Sequence, residues 1–231
     1  MKRQGRVLFV GCGPGAADLL TVRAVRALAA ADIVIWNRSL LDREALSEHI
    51  RADAEIVEWP PATQEDIIAA FERALAEDLL VVRLKGGDPT LFGALEPELS
   101  AARRRGIACE IVPGITSLSA AAAAMGHEVA MRGAPLLLID AAALDGPARA
   151  PGLAVYEVPR ETAALAAALL VRGLPRSTGC TVAVEVSRRD EAVVSCKLED
   201  LAETIDDFGR GSLTLVFADP ADARRSAAGH D

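Results

Sequence analysis

The sequence predicts an α/β protein made of two α/β domains. Three observations carry that reading. Apolar, β-rich runs alternate with helix-patterned stretches through the first half of the chain. Four apolar runs along the chain end in short loops, three of them rich in glycine and proline: Gly11-Cys12-Gly13-Pro14-Gly15, Lys85-Gly86-Gly87-Asp88-Pro89, Pro113-Gly114-Ile115-Thr116-Ser117 and Val155-Tyr156-Glu157-Val158. The alternation then breaks between Gly126 and Pro135, which divides the 231 residues into expected domains at 1–126 and 134–231. Each is long enough to bury its own core. Glycines at strand ends let backbone approach a ligand closely, so loops of this kind in series point to one small-molecule cleft.

Taken in order, Arg6–Val10 reads as a buried strand, Leu19–Ala30 as an amphipathic helix and Asp32–Trp36 as the next strand. Leu41–Glu48 is a short helix and Glu55–Glu58 a short strand. Thr63–Glu77 has the clearest helix pattern, with Thr63 as N-cap, Asp66 three residues on, and Ile67, Ile68, Phe71 and Leu75 expected on one face. Leu79–Leu84 is a β run, followed by a helix near Leu95–Arg105 that Gly106 should cap. The strand Ala108–Val112 and the small-residue helix Ser117–Met125 complete this half. Such alternation implies a mostly parallel sheet covered on both faces. The second half reads as strands Leu136–Ile139 and Leu153–Tyr156, helix Glu161–Val171, a hairpin of Thr181–Val186 and Ala192–Lys197, helix Leu198–Asp206 and strand Leu213–Ala218. The hairpin makes it a mixed sheet.

Bulk properties narrow the function. Apolar residues make up 51% and charged residues 25%, the balance of a globular chain. Aromatic residues at 3% argue against a base-stacking single-strand binder. A net charge of −8 disfavours nucleic acid and anionic membranes as partners. Stretches of about 18 apolar residues are lacking, so neither a membrane span nor a signal sequence is expected. The four cysteines are scattered without a CxxC pair, which favours reduced thiols, a cytoplasmic setting and no zinc site. The three histidines are not clustered, and no metal-ligand spacing or Ser-His-Asp pattern is present.

The first loop invites a dinucleotide reading, but Pro14 stands where backbone should cradle a pyrophosphate, and Asn37 rather than an acid ends the second strand. A plain tight turn is the alternative. Lys85-Gly86-Gly87-Asp88-Pro89 exposes backbone groups, and Asp88 can fix the turn through its own side chain. Thr116 and Ser117 can cap the next helix and also offer hydroxyls to a ligand. Arg38, Arg83, Lys85 and Arg132 flank the loops in an acidic protein, where they could pair with substrate carboxylates or stand as solvated surface charges.

Together these loops resemble the tetrapyrrole methyltransferase family. The matching segments are VLFVGCGPGAADLLTVRAVRAL, VVRLKGGDPTLFGAL, GIACEIVPGITSLSAAAAAMG and VAVEVSRRDEAVVSCKLEDL, within residues 6–218. Within the family, SLLDREALSEHIRADAEIVEWPPATQEDII and SRRDEAVV resemble precorrin-4 carbon-11 methyltransferases, whereas Lys85-Gly86-Gly87 resembles uroporphyrinogen-III methyltransferases. The resemblance implies two α/β domains with S-adenosyl-L-methionine (SAM) in the cleft between them, S-adenosyl-L-homocysteine as the product left behind, a tetrapyrrole or corrinoid substrate, and a homodimer. It implies that Pro14 lines the cleft, that Gly86, Gly87, Asp88 and Leu91 lie against the methionine part, and that Thr116 and Ser117 hold methionine or ribose. Tyr156, Glu157, Val186, Ser187 and Leu213 would frame the adenine, largely through backbone. Family members usually carry an apolar residue where Glu157 stands. The stretch from Ile139 to Pro147 is shorter and less polar than the family's substrate-covering segment, which motivates a third reading, a non-catalytic paralogue that binds SAM or tetrapyrrole. The resemblance names no catalytic side chain.

Overall fold

A computed structural model describes residues 5–41, 43–126, 128–129, 136–140, 152–156, 162–208 and 214–219. The chain divides into two compact units, Met1–Thr116 and Ser117–Asp231.

The first unit is built on five strands: β1 (Arg6–Gly11), β2 (Ile33–Trp36), β3 (Glu55–Glu58), β4 (Leu80–Lys85) and β5 (Ala108–Val112). Their order is β3-β2-β4-β1-β5, and every pairing is parallel. Successive residues of a strand face opposite sides, so β1 supplies two cores. Leu8 and Val10 pack with Ala24, Ala27 and Leu28 of α1 (Val22–Ala30) on one face. Val7 and Phe9 pack on the other with Ile67 and Phe71 of α3 (Gln64–Glu77) and Leu99 and Ala102 of α4 (Leu95–Arg104). The Phe9 and Phe71 rings meet edge to face at 5.8 Å. A short helix α2 (Arg43–Ser47) lies between β2 and β3.

Two expectations shift. Helix α1 starts at Val22 rather than Leu19, because the Thr21 hydroxyl accepts from the Ala24 amide at 3.1 Å and caps it there. Residues Ala17–Leu19 form a separate 3-10 turn. In α3 the capping box of Thr63 and Asp66 forms as expected, but Leu75 is 49% exposed. The buried stripe is Ile67, Ala70, Phe71 and Ala74; Leu75 lies roughly 80° round the helix from Ile67, past the edge of that stripe. Gly106 does close α4, with φ 71 and its amide on the Arg103 carbonyl at 3.0 Å.

The second unit carries β6 (Leu136–Asp140), β7 (Gly152–Tyr156), β8 (Gly179–Val184), β9 (Ala192–Lys197) and β10 (Thr214–Asp219), in the order β6-β7-β10-β8-β9. The β6–β7 pair is parallel and the other three pairs are antiparallel, a mixed sheet with the expected β8–β9 hairpin. Strand β8 stops at Val184 because Glu185 and Ser187 take φ values of 47° and 64°, which turn the chain. The expected Leu198 helix opens with a 3-10 turn and becomes α7 (Leu201–Phe208) only afterwards. Leu165 and Leu169 of α6 (Thr162–Val171) pack with Leu201 and Ile205 of α7 against β7 and β8. Helix α5 (Ser117–Met125) lies beside β9 and β10 and so groups with this unit, ahead of the break expected at 126–134.

Candidate functional site

Strands β1 and β4 are neighbours, yet the helices that follow them, α1 and α4, pack on opposite faces of the sheet. Ligands of open α/β sheets bind at such a switch point, outside the C-terminal ends of the strands. Here the loops after β1, β4 and β5 meet through backbone. Gly13 and Gly87 exchange amide–carbonyl bonds of 2.9 and 3.3 Å in an isolated bridge, and the Cys12 amide donates to the Lys85 carbonyl at 2.9 Å. A Cβ built on Gly114 would stand 2.1 Å from the Gly87 carbonyl oxygen and 2.9 Å from the Gly11 Cα. One on Gly11 would stand 2.5 Å from that same oxygen. Side chains are excluded at this meeting point by backbone on all sides. Gly13 and Gly87 also hold φ values of 73° and 57°, which glycine adopts freely.

Asp88 ties the second loop to the third. Its Oδ1 accepts from the Thr90 amide at 2.8 Å and the Thr90 hydroxyl at 2.6 Å, and its Oδ2 accepts from the Gly114 amide at 3.1 Å. Partial burial pushes this carboxyl up, but the hydrogen bonds from Thr90 and Gly114 outweigh it and hold Asp88 below the usual carboxylate range. Asp88 thus fixes the backbone that a ligand would meet. Pro14 is buried in the first loop; Gly86, Leu91 and Thr116 are half-buried. Leu40 stands over Gly86, where a Cβ would approach its Cδ2 to 2.9 Å.

Beneath these loops Arg83 and Lys85, both expected to meet substrate, join Glu98 in a buried charged triad instead. Arg83 grips Glu98 with two bonds, 2.9 and 3.0 Å, and the Lys85 ammonium reaches the same carboxylate at 2.8 Å and the Ala94 carbonyl at 3.5 Å. All three side chains are buried, and Arg83 also lies over the Trp59 ring at 5.9 Å. Burial lowers the Lys85 pKa although Glu98 opposes it, while Glu98 is held below its ordinary value because its two cations outweigh its burial. One carboxylate serving two cations stays ionised. Arg83 and Lys85 are two apart on an otherwise apolar strand, so both face one side and need a buried anion, a signal present in the sequence. Lys85, expected to meet substrate, donates inward to α4. Arg38 is exposed and pairs with Glu58 beside it. Asn37 accepts from the Ser39 amide and hydroxyl at 2.9 and 2.8 Å and so shapes the turn after β2.

The remaining expected residues belong to the second unit. Ser117 begins α5, Tyr156 ends β7, and Val186 and Ser187 form the β8–β9 turn, where the Ser187 amide donates to Glu191 at 2.6 Å. Glu157, Leu213 and Arg132 lie outside the described residues, as does most of the shortened stretch after Asp140. Among the described residues no group of three or more His, Cys, Asp or Glu side chains could hold a metal, and no helix is long and apolar enough to cross a membrane. The loops after β1, β4 and β5 thus form one backbone-locked cluster that is closed to side chains.

Comparison with known proteins gives the family. The family model for tetrapyrrole (corrin/porphyrin) methylases matches residues 6–202. The uroporphyrinogen-III C-methyltransferase of Paracoccus denitrificans is 32% identical over 219 residues, 87% of this chain and 76% of that protein. The precorrin-4 C(11)-methyltransferase of Rhodococcus erythropolis is 37% identical over 127 residues, 55% of this chain and 51% of that one. Several relatives are thus matched over only about half their length. Among solved structures, a cobalt precorrin-4 methyltransferase superposes with a TM-score of 0.81 at 26% identity, covering 92% of this chain and 94% of the other. The uroporphyrin-III C-methyltransferase of Thermus thermophilus, in complex with S-adenosylhomocysteine, superposes with a TM-score of 0.79 at 31% identity over 96% and 94%. The chain belongs to the tetrapyrrole (corrin/porphyrin) methylase family, and its methyl donor is S-adenosyl-L-methionine.

Proposed function

We propose that this chain methylates precorrin-4 at ring carbon 11. The observation that supports a methyl-donor site here is the backbone contact of Gly11, Gly87 and Gly114, which leaves no room for a Cβ on Gly11 or Gly114 and locks the loops after β1, β4 and β5 into one backbone cradle. SAM, when bound, supplies a methyl group already activated by its sulfonium, and a reduced tetrapyrrole offers nucleophilic ring carbons. The chain's own residues then have to bind, orient and keep water out, an effect worth up to about 7–11 kcal/mol in well-oriented systems. Pro14, Gly86, Gly87, Asp88, Leu91 and Thr116 are the residues of the first unit assigned to the donor. Ser117, Tyr156, Glu157, Val186, Ser187 and Leu213 are assigned to it by the resemblance alone. Arg38, exposed at the end of β2, and Arg132 are assigned to substrate carboxylates. The cytoplasm and a homodimer belong to the same reading.

The carbon-11 assignment rests on residues 39–68 and on SRRDEAVV, and is supported by the match to the Rhodococcus enzyme. A second substrate, uroporphyrinogen III, is favoured by Lys85-Gly86-Gly87 and by the longer Paracoccus match. Incubation with methyl-labelled SAM and a panel of uroporphyrinogen III, precorrin-4 and cobalt-precorrin-4, read by mass, decides between them. Methyl gain on precorrin-4 alone is expected. Gain on uroporphyrinogen III alone refutes the assignment, and SAM binding without transfer to any member leaves a binding paralogue.

A further inference from the structure

We propose that Glu98 is a positioning residue that holds the loop of residues 86–94 in its donor-binding shape; this rests on the SAM reading above. The loop runs from the end of β4 to the start of α4, and its neck is closed by one carboxylate. Glu98, in the first turns of α4, receives Lys85 from the last position of β4 at 2.8 Å and Arg83 at 2.9 and 3.0 Å. Lys85 adds a longer reach to the Ala94 carbonyl, at the far end of the same loop.

The loop needs such a hold because it is strained. Phe92 and Ala94 sit at φ 53° and 44°, in the left-handed region that side chains other than glycine disfavour. Between them Gly93 is pressed on Pro89, where a Cβ would stand 2.5 Å from the carbonyl oxygen. A segment of this kind keeps its shape only when its surroundings over-determine it. Asp88 does so at the tip, through Thr90 and Gly114. Glu98 does so at the neck. If the neck opens, Gly87 no longer lies fixed against Gly13, and the donor must first select the competent loop.

The test compares wild type with Glu98→Gln, which keeps the shape and removes the charge, by calorimetry with S-adenosylhomocysteine and by thermal unfolding. A loop competent one-tenth of the time weakens the apparent affinity roughly tenfold. Ala94→Asn added to Glu98→Gln lowers the strain at a position asparagine tolerates, and is expected to recover most of that loss. Affinity within twofold of wild type, whatever the melting temperature, overturns the inference, as does a loss that Ala94→Asn leaves unchanged. Should Glu98→Gln not fold, Glu98→Asp, one methylene short, is subject to the same two outcomes. Wild-type protein that binds neither SAM nor its demethylated product overturns the donor reading itself, so the two failures are distinct.

Discussion

Gly114→Ala is the sharpest perturbation of the site. The new methyl would lie 2.1 Å from the Gly87 carbonyl oxygen and 2.9 Å from the Gly11 Cα, both backbone atoms that no rotamer change can move aside. The loops must separate by roughly 1 Å to restore contact, and forced overpacking of this kind costs about 1–3 kcal/mol. Separation also stretches the 3.1 Å bond from the Gly114 amide to the ionised Asp88, where hydrogen bonds to charged groups contribute about 1.5–3 kcal/mol. A loss of about 2.5–6 kcal/mol is therefore expected in guanidinium unfolding if that bond is lost outright. A displacement near 1 Å in the loops that position the reactants costs about a hundredfold in rate, and calorimetry should show weakened S-adenosylhomocysteine binding. Two controls calibrate the result. Gly86→Ala meets only the Leu40 side-chain tip, which can rotate, and should be far milder. Gly106→Ala meets nothing within 4 Å and bears only its positive-φ penalty of about 1–2 kcal/mol, with affinity unchanged. A Gly114→Ala protein as stable and as tightly binding as wild type would refute the loop contact and the cradle with it.

Asp88→Asn removes a carboxyl whose folded pKa is lowered, so its stabilisation is complete above the unfolded value near about 3.9 and fades as pH falls through the folded one. Acid titration of unfolding midpoints should show wild type losing more stability below pH 4 than the variant, and parallel curves would sink the assignment. Thr63→Ala deletes the α3 capping box and should lower stability by about 1 kcal/mol while leaving S-adenosylhomocysteine affinity as it was, because the cap lies outside the cradle. Burial first, and then the neighbouring Cys196, push the Cys180 thiol up to about 12, so it should resist a thiol reagent at pH 8 until denaturant is added. Rapid labelling of Cys180 in the native protein would show that the second core is open.

How much of this could be read from the chain alone depends on the range of the interaction. Strand and helix identity followed from patterns a few residues long, and the capping box at Thr63 or the glycine after Arg103-Arg104-Arg105 carried their own geometry. Boundaries moved where a neighbouring residue decided: Thr21 claimed the start of α1, and the turned backbone at Glu185 ended β8. Leu75 looked buried until the angle of the stripe was set by the sheet beneath it. The glycine loops were visible as candidates, and their order pointed to the family. Sequence spacing could not show that Gly11, Gly87 and Gly114 touch, since they stand on three strands whose order, β4-β1-β5, is a tertiary property. Nor could it show that Lys85 turns inward to Glu98 rather than outward to a substrate. Short-range patterning thus determined the elements and the kind of ligand, because propensity, capping and close backbone approach are written in local residue types. The parallel sheet decided which loops meet and which charges are spent within the fold, because those contacts join residues far apart in the chain.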